Sequence, residues 1–199
     1  TPYIARWYFA RVLSGIEGVL QDSELDLLLS SIGDPSETHR VPPHRKLRRR
    51  VDGFLVISLP TDTEGVSEIF DLDLPVALID TDRDGCSSVG IDDVQGARMA
   101  VQHLINLGHE RIGLISGRPL PTPFRPEENR FLGYRDTLVE AGLALDSDLE
   151  ACGHFTTEGG ERAMTTLLAR PNPPTAVFAM SVGMACGALR SLRAHGLEL

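Results

Sequence analysis

An α/β fold built on parallel sheet is predicted by three observations. Short apolar runs alternate along the chain with amphipathic stretches of helical period. The apolar runs are continuous rather than alternating in polarity, as strands covered by helices on both faces require. One segment, residues 88–116 (SVGIDDVQGARMAVQHLINLGHERIGLIS), sets strand, helix and strand in tight succession. That order is a βαβ unit, the repeating piece of a doubly wound sheet.

In chain order, the first helix is expected over 8–20, where Phe9, Val12, Leu13, Ile16 and Leu20 share one face. A strand is expected at 25–31 (LDLLLSS). Residues 34–50 (DPSETHRVPPHRKLRRR) break the pattern, because Pro42-Pro43 cannot lie inside a regular helix. The basic run 44–50 lacks interleaved aromatics and reads as a solvated helix face rather than a nucleic-acid patch. Strands are expected at 54–58 (FLVIS), 76–80 (VALID) and 89–91. A helix over 94–107 follows, with Ala97, Val101, Leu104 and Ile105 on one face, and then a strand at 112–116 (IGLIS). Helices at 128–141, 158–168 and 183–194 enclose a short strand-like piece at 149–154 and a strand at 176–180 (AVFAM). Gly108, Gly142 and Gly196 each follow a helical run, where a left-handed C′ residue is wanted. Both ends read as cut: residues 1–7 look like a strand-to-helix loop with no strand before it, and 196–199 stop where another strand is due.

Composition narrows the class. A charged share of 24% beside 42% apolar residues is that of a soluble globular chain. No apolar run approaches the roughly 20 residues that cross a bilayer, and residues 1–3 have neither the basic nor the apolar part of a secretory signal. These features lead us to expect a cytoplasmic protein with no membrane partner. Net charge is −9, with ten basic and seventeen acidic side chains in 1–108 against nine and eleven in 109–199. Neither half resembles a surface that neutralises phosphates, so any DNA-contacting part is expected outside this sequence. The three cysteines, Cys86, Cys152 and Cys186, make no metal-ligand spacing and are expected to be small buried thiols in a reducing compartment.

The wording of several segments is more specific than their order. Asp92-Asp93 at a strand end, Gly96-Ala97-Arg98 in the following helix, and Leu107-Gly108-His109 with Arg111-Ile112 before the next strand form one such set. Gly15-Ile16-Glu17, Val51-Asp52-Gly53-Phe54, Arg130-Phe131-Leu132-Gly133-Tyr134 and Pro174-Thr175-Ala176-Val177 follow the same order and spacing. Together they resemble the effector-binding region of the LacI/GalR group of bacterial transcription regulators, and the resemblance covers nearly the whole chain. It implies two doubly wound parallel-sheet subdomains of the periplasmic-binding-protein-like type, 1–108 and 109–199, with a ligand cleft between them. It also implies a homodimer, a small polar effector such as a sugar, and operator DNA bound through a helix-turn-helix head absent from this chain.

The resemblance makes Arg130 the first candidate ligand residue, since the family's matching arginine binds effector; its planar fork suits hydroxyl pairs or a carboxylate. The plainer reading is a solvent-exposed arginine near a helix start. Asp92 ends a strand at the sheet edge where open α/β folds place ligands, and it equally suits the N-cap of the next helix. Trp7, Tyr8 and Phe9 stand at the expected cleft edge, where rings stack on sugar or purine faces; Phe9 also lies on its helix's core face. Phe155 falls where the family has an aromatic wall, or is an ordinary loop residue. Ser181 keeps a short polar group where the family has Asn/Ser-Asp, whereas Val182 removes a carboxylate and an N-cap. The loop 118–127 is longer and richer in proline than usual, and no ligand residue is expected there.

No cofactor, metal or catalytic residue is expected. The run Ala179-Met180-Ser181-Val182-Gly183 resembles a nucleophile elbow but has Ala in its first position and no assignable relay partners. Phosphate-cradling glycine motifs are absent. The chief alternative is a periplasmic-type sugar receptor serving a transporter, which shares the two-lobed fold; the Leu-Gly-His wording and the cysteine usage favour the regulator.

Overall fold

The computed structural model describes residues 7–30, 49–62 and 66–198. They divide by packing into an N-terminal unit, 1–88, and a C-terminal unit, 89–199.

In the N-terminal unit, α1 (Trp7–Leu20) buries no residue completely. Its half-buried positions are Phe9, Val12, Leu13, Ile16 and Leu20, the face its helical spacing predicts, together with Tyr8. Strand β1 (Phe54–Ile57) runs parallel to β2 (Val76–Ile79), with Phe54 opposite Val76 and Ile57 opposite Ile79. Strand β3 (Ser87–Val89) completes the order β1-β2-β3. A short 3-10 turn, Ser67–Asp71, sets Ile69 beside Val56, Val66 and Leu78 to form a small core.

Two expectations fail here. Over its described part, the apolar run 25–31 is irregular, and Leu25, Leu27, Leu28 and Leu29 are exposed. An apolar run becomes a strand only beside a neighbour that takes its backbone hydrogen bonds, and no described strand pairs with it. The strand expected at 89–91 ends at Val89, because the amide of Asp93 turns back to Ile91 O and starts the next helix. The Pro42-Pro43 break and most of the basic run 44–50 lie outside the described residues.

The C-terminal unit is a three-stranded parallel sheet in the order β5-β4-β6. Its centre is β4 (Ile112–Ser116), buried at all five positions, as a continuous apolar run requires. Around it stand α2 (Asp93–Asn106), α3 (Arg125–Glu140), β5 (Glu150–Cys152), α4 (Thr157–Leu168), β6 (Ala176–Ala179) and α5 (Val182–Ala194). Leu114, Ile115, Tyr134, Leu138, Leu167 and Met184 make the core. Helix α2 packs on α3, and α4 on α5. The second pair meets through glycines: a Cβ on Gly160 would lie 2.6 Å from Met184 Cα, and one on Gly187 2.6 Å from Glu161 N. By packing, α2 groups with α3 in the C-terminal unit; a subdomain boundary at Gly108–His109 stays a proposal drawn from the resemblance alone. The cysteines differ from expectation: Cys86 and Cys152 are half-buried and Cys186 is exposed. Spacing along the chain carries no information on how deep a lone thiol sits.

Candidate functional site

The carboxyl ends of all three C-terminal strands feed loops that hold polar and aromatic groups. Gly117 and Arg118 follow β4, His154 and Phe155 follow β5, and Met180 and Ser181 follow β6. Parallel sheets bind ligands at this edge, because the helices that follow present their unsatisfied amides there.

Arg130, in the second turn of α3, reaches two elements at once. Its Nε donates to Asp93 Oδ1 at 2.8 Å, in the first turn of α2, and its Nη1 donates to Met180 O at 2.9 Å, beyond β6. Asp93 is nearly buried and Arg130 half-buried. A planar fork fixed at two corners presents its third corner, Nη2, in a set direction; among the described residues that nitrogen has no acceptor. Arg130 is therefore not the solvent-exposed arginine of the plainer reading.

Asp92 is exposed and caps α2, accepting from Gln95 N at 2.9 Å. The carboxylate that holds Arg130 is its neighbour, Asp93. Ser181 caps α5, its Oγ accepting from Met184 N at 3.3 Å, so the cap thought lost at Val182 is supplied one residue earlier. That use of Oγ also accounts for the serine in the elbow-like run.

Phe155 has a left-handed backbone (φ 55°), as has His154 (φ 52°). The Phe155 ring covers Gly117 so closely that any side chain there would overlap it. The same ring lies 5.6 Å from the Arg118 guanidinium, and the ring of Phe124 lies 3.7 Å from it on a separate contact. Arg118 also pairs with Glu127, in the first turn of α3. Glu127 is buried to 2% exposure, and among the described residues its Oε1 has no hydrogen-bond partner. Burial pushes its carboxyl above the ordinary value, while Arg118 and Arg130 pull it back down. Sequence reasoning passed over this loop. Its one usable signal is an acidic residue in the first turn of a helix, three positions before Arg130.

The remaining candidates belong to the N-terminal unit. Tyr8 donates its hydroxyl to Asp80, the residue after β2, which has a left-handed backbone (φ 53°). Phe9 packs edge-on against Tyr8 with ring centroids 5.5 Å apart. Trp7 is 70% exposed.

A family model described as periplasmic binding proteins and sugar binding domain of LacI family matches residues 1–199. The chain belongs to this family. Among its LacI-family relatives, the HTH-type transcriptional regulator DegA of Bacillus subtilis is 30% identical over all of this chain and 59% of its own length. The HTH-type transcriptional repressor CytR of Escherichia coli is 31% identical over all of this chain and 58% of its own length. The regulator CelR of Thermobifida fusca is 32% identical over 95% of this chain and 56% of its own length. The LacI-family chain thus spans little more than half the length of these relatives. A solved CelR–cellobiose complex superposes with a TM-score of 0.80 at 32% identity, covering 98% of this chain and 60% of that one. A LacI-type regulator from Bacillus cereus reaches a TM-score of 0.86 at 24% identity, a likeness of fold. Among the described residues, no helix of this LacI-family chain is long and apolar enough to cross a membrane.

Proposed function

We propose that this chain is the effector-binding part of a LacI-type transcription regulator and takes a small polar molecule, a sugar or close relative. The observation that carries the reading is Arg130, held at two corners by Asp93 and Met180 O beyond β6, its Nη2 without an acceptor among the described residues. A small polar ligand needs such a directed donor beside an aromatic wall, and Phe155 supplies a ring at the carboxyl edge of the sheet. In this reading Asp92, Trp7, Tyr8, Phe9 and Ser181 remain candidate ligand contacts. The regulators among its relatives support placing it in the cytoplasm as a homodimer that acts on operator DNA through a head outside these residues. Effector binding then alters operator affinity through a coupling of the usual size, about 1–3 kcal/mol.

The test is calorimetric titration of the chain and of Arg130→Ala with glucose, ribose and cellobiose. A sugar that binds the parent should bind the variant well over tenfold more weakly, since a charge-assisted bond in a shielded place is lost. Equal affinity in the two proteins defeats the assignment.

A further inference from the structure

The two arginines at this edge are each matched by a buried carboxylate. Arg130 is bonded to Asp93, which is 7% exposed, and Arg118 to Glu127, which is 2% exposed. Each carboxylate is buried against its arginine, so each guanidinium is held as a source of directed N–H donors that carries no uncompensated charge. Arg118 is further fixed by the ring of Phe124 and, more loosely, by that of Phe155. Glu127 Oε1 has no donor among the described residues, and a buried acceptor left unmatched is costly.

This balance decides what the edge can accept. A hydroxyl accepts from guanidinium N–H without bringing charge, so a neutral polyol suits both arginines as they are paired, while its C–H face suits the Phe155 ring. A ligand carboxylate or phosphate meets arginines whose charge is already met. It brings an extra negative charge beside Asp93 and Glu127 into a shielded place, where like charges repel most strongly. We propose that this site selects neutral polyhydroxylated ligands over their acidic or phosphorylated counterparts, and that Glu127 is the residue setting the selection. The inference rests on the reading of this edge as the effector site.

The test titrates the full chain with matched probes: glucose against glucuronate and glucose 6-phosphate, ribose against ribose 5-phosphate, and cellobiose against cellobionate. For any pair with measurable binding, the neutral member should bind at least tenfold more tightly. Glu127→Gln, nearly the same shape without the charge, should narrow that ratio at least fivefold by releasing the charge of Arg118. An anion that binds the parent as tightly as its neutral counterpart overturns the proposal. A ratio unchanged in a folded Glu127→Gln overturns the role of Glu127. The matched pairs on the unaltered chain decide the selectivity even if the variant does not fold. If no probe binds the parent, the sugar reading of the edge itself fails, a different result from binding with the wrong charge preference.

Discussion

Gly133, in the middle of α3, lies against the carbonyl of Val94 in the first turn of α2, and a Cβ placed on it would come within 2.8 Å of Ala97 Cβ. The missing side chain is what lets the two helices approach closely enough for Arg130, one turn earlier, to reach Asp93. Gly133→Ala should therefore destabilise the chain by about 1–3 kcal/mol through overpacking, and should weaken ligand binding with it. Urea unfolding read alongside titration checks both; a variant as stable as the parent would show that α2 and α3 can part without cost.

Ser181 is the cap of α5, so Ser181→Ala should cost about 1 kcal/mol, whereas Ser181→Asp should stay within a few tenths of a kcal/mol of the parent. Chemical denaturation measures the difference. If Ser181→Ala keeps full stability and loses only ligand affinity, the hydroxyl serves the ligand and not the helix.

The hydroxyl of Tyr134 donates to Ile112 O at 2.7 Å in the core of the C-terminal unit. Burial, followed by the negative charges of Glu150 and Asp146, holds this phenol above its ordinary value of 10.0. The folded chain thus keeps the proton more tightly than the unfolded one. The stability this contributes is complete below pH 10.0 and is lost as pH rises beyond it. Tyr134→Phe should cost about 1 kcal/mol at neutral pH, and the deficit should shrink as pH climbs above the ordinary tyrosine range. A deficit that stays constant to high pH would contradict the sign.

In the N-terminal unit, Tyr8→Phe removes the bond to Asp80 that joins α1 to the end of β2. Amide exchange along α1 should accelerate, with a loss of about 1 kcal/mol, while exchange in β4 and α3 stays unchanged. Faster exchange in β4 would mean that the two units do not unfold separately.

What the residues disclosed in advance follows from where each signal is local. The run 112–116 was legible because β4 is central and buried on both faces, so its positions had to be apolar or small. The stretch 25–31 is likewise rich in apolar residues and forms no strand over its described part, because pairing is a property of the neighbour and not of the run. Helix α3 begins at Arg125, three residues before its expected start; Pro126 in its first turn is compatible with a helix, but Phe124 at the N-cap offers no side-chain signal. Arg130 was singled out as a candidate through the motif around Gly133-Tyr134. The pairing of Arg118 with Glu127 was not, since both charges lie in or beside a proline-rich loop and nothing in their spacing shows that the loop folds them inward.

The glycine contacts between α4 and α5 have a consequence for inheritance. Gly160 and Gly187 allow each helix to lie against the other's backbone, so neither surface tolerates a partner of another shape. Phe155 stands just before the N-cap of α4, and Ser181 is the N-cap of α5. Grafting either helix alone from a relative with bulkier residues at these crossings would jam the pair, whereas grafting both together, with the loops that lead into them, would transplant Phe155 and Ser181 as a single cassette. Ligand preference at this edge would then pass between relatives in blocks of two helices, not residue by residue.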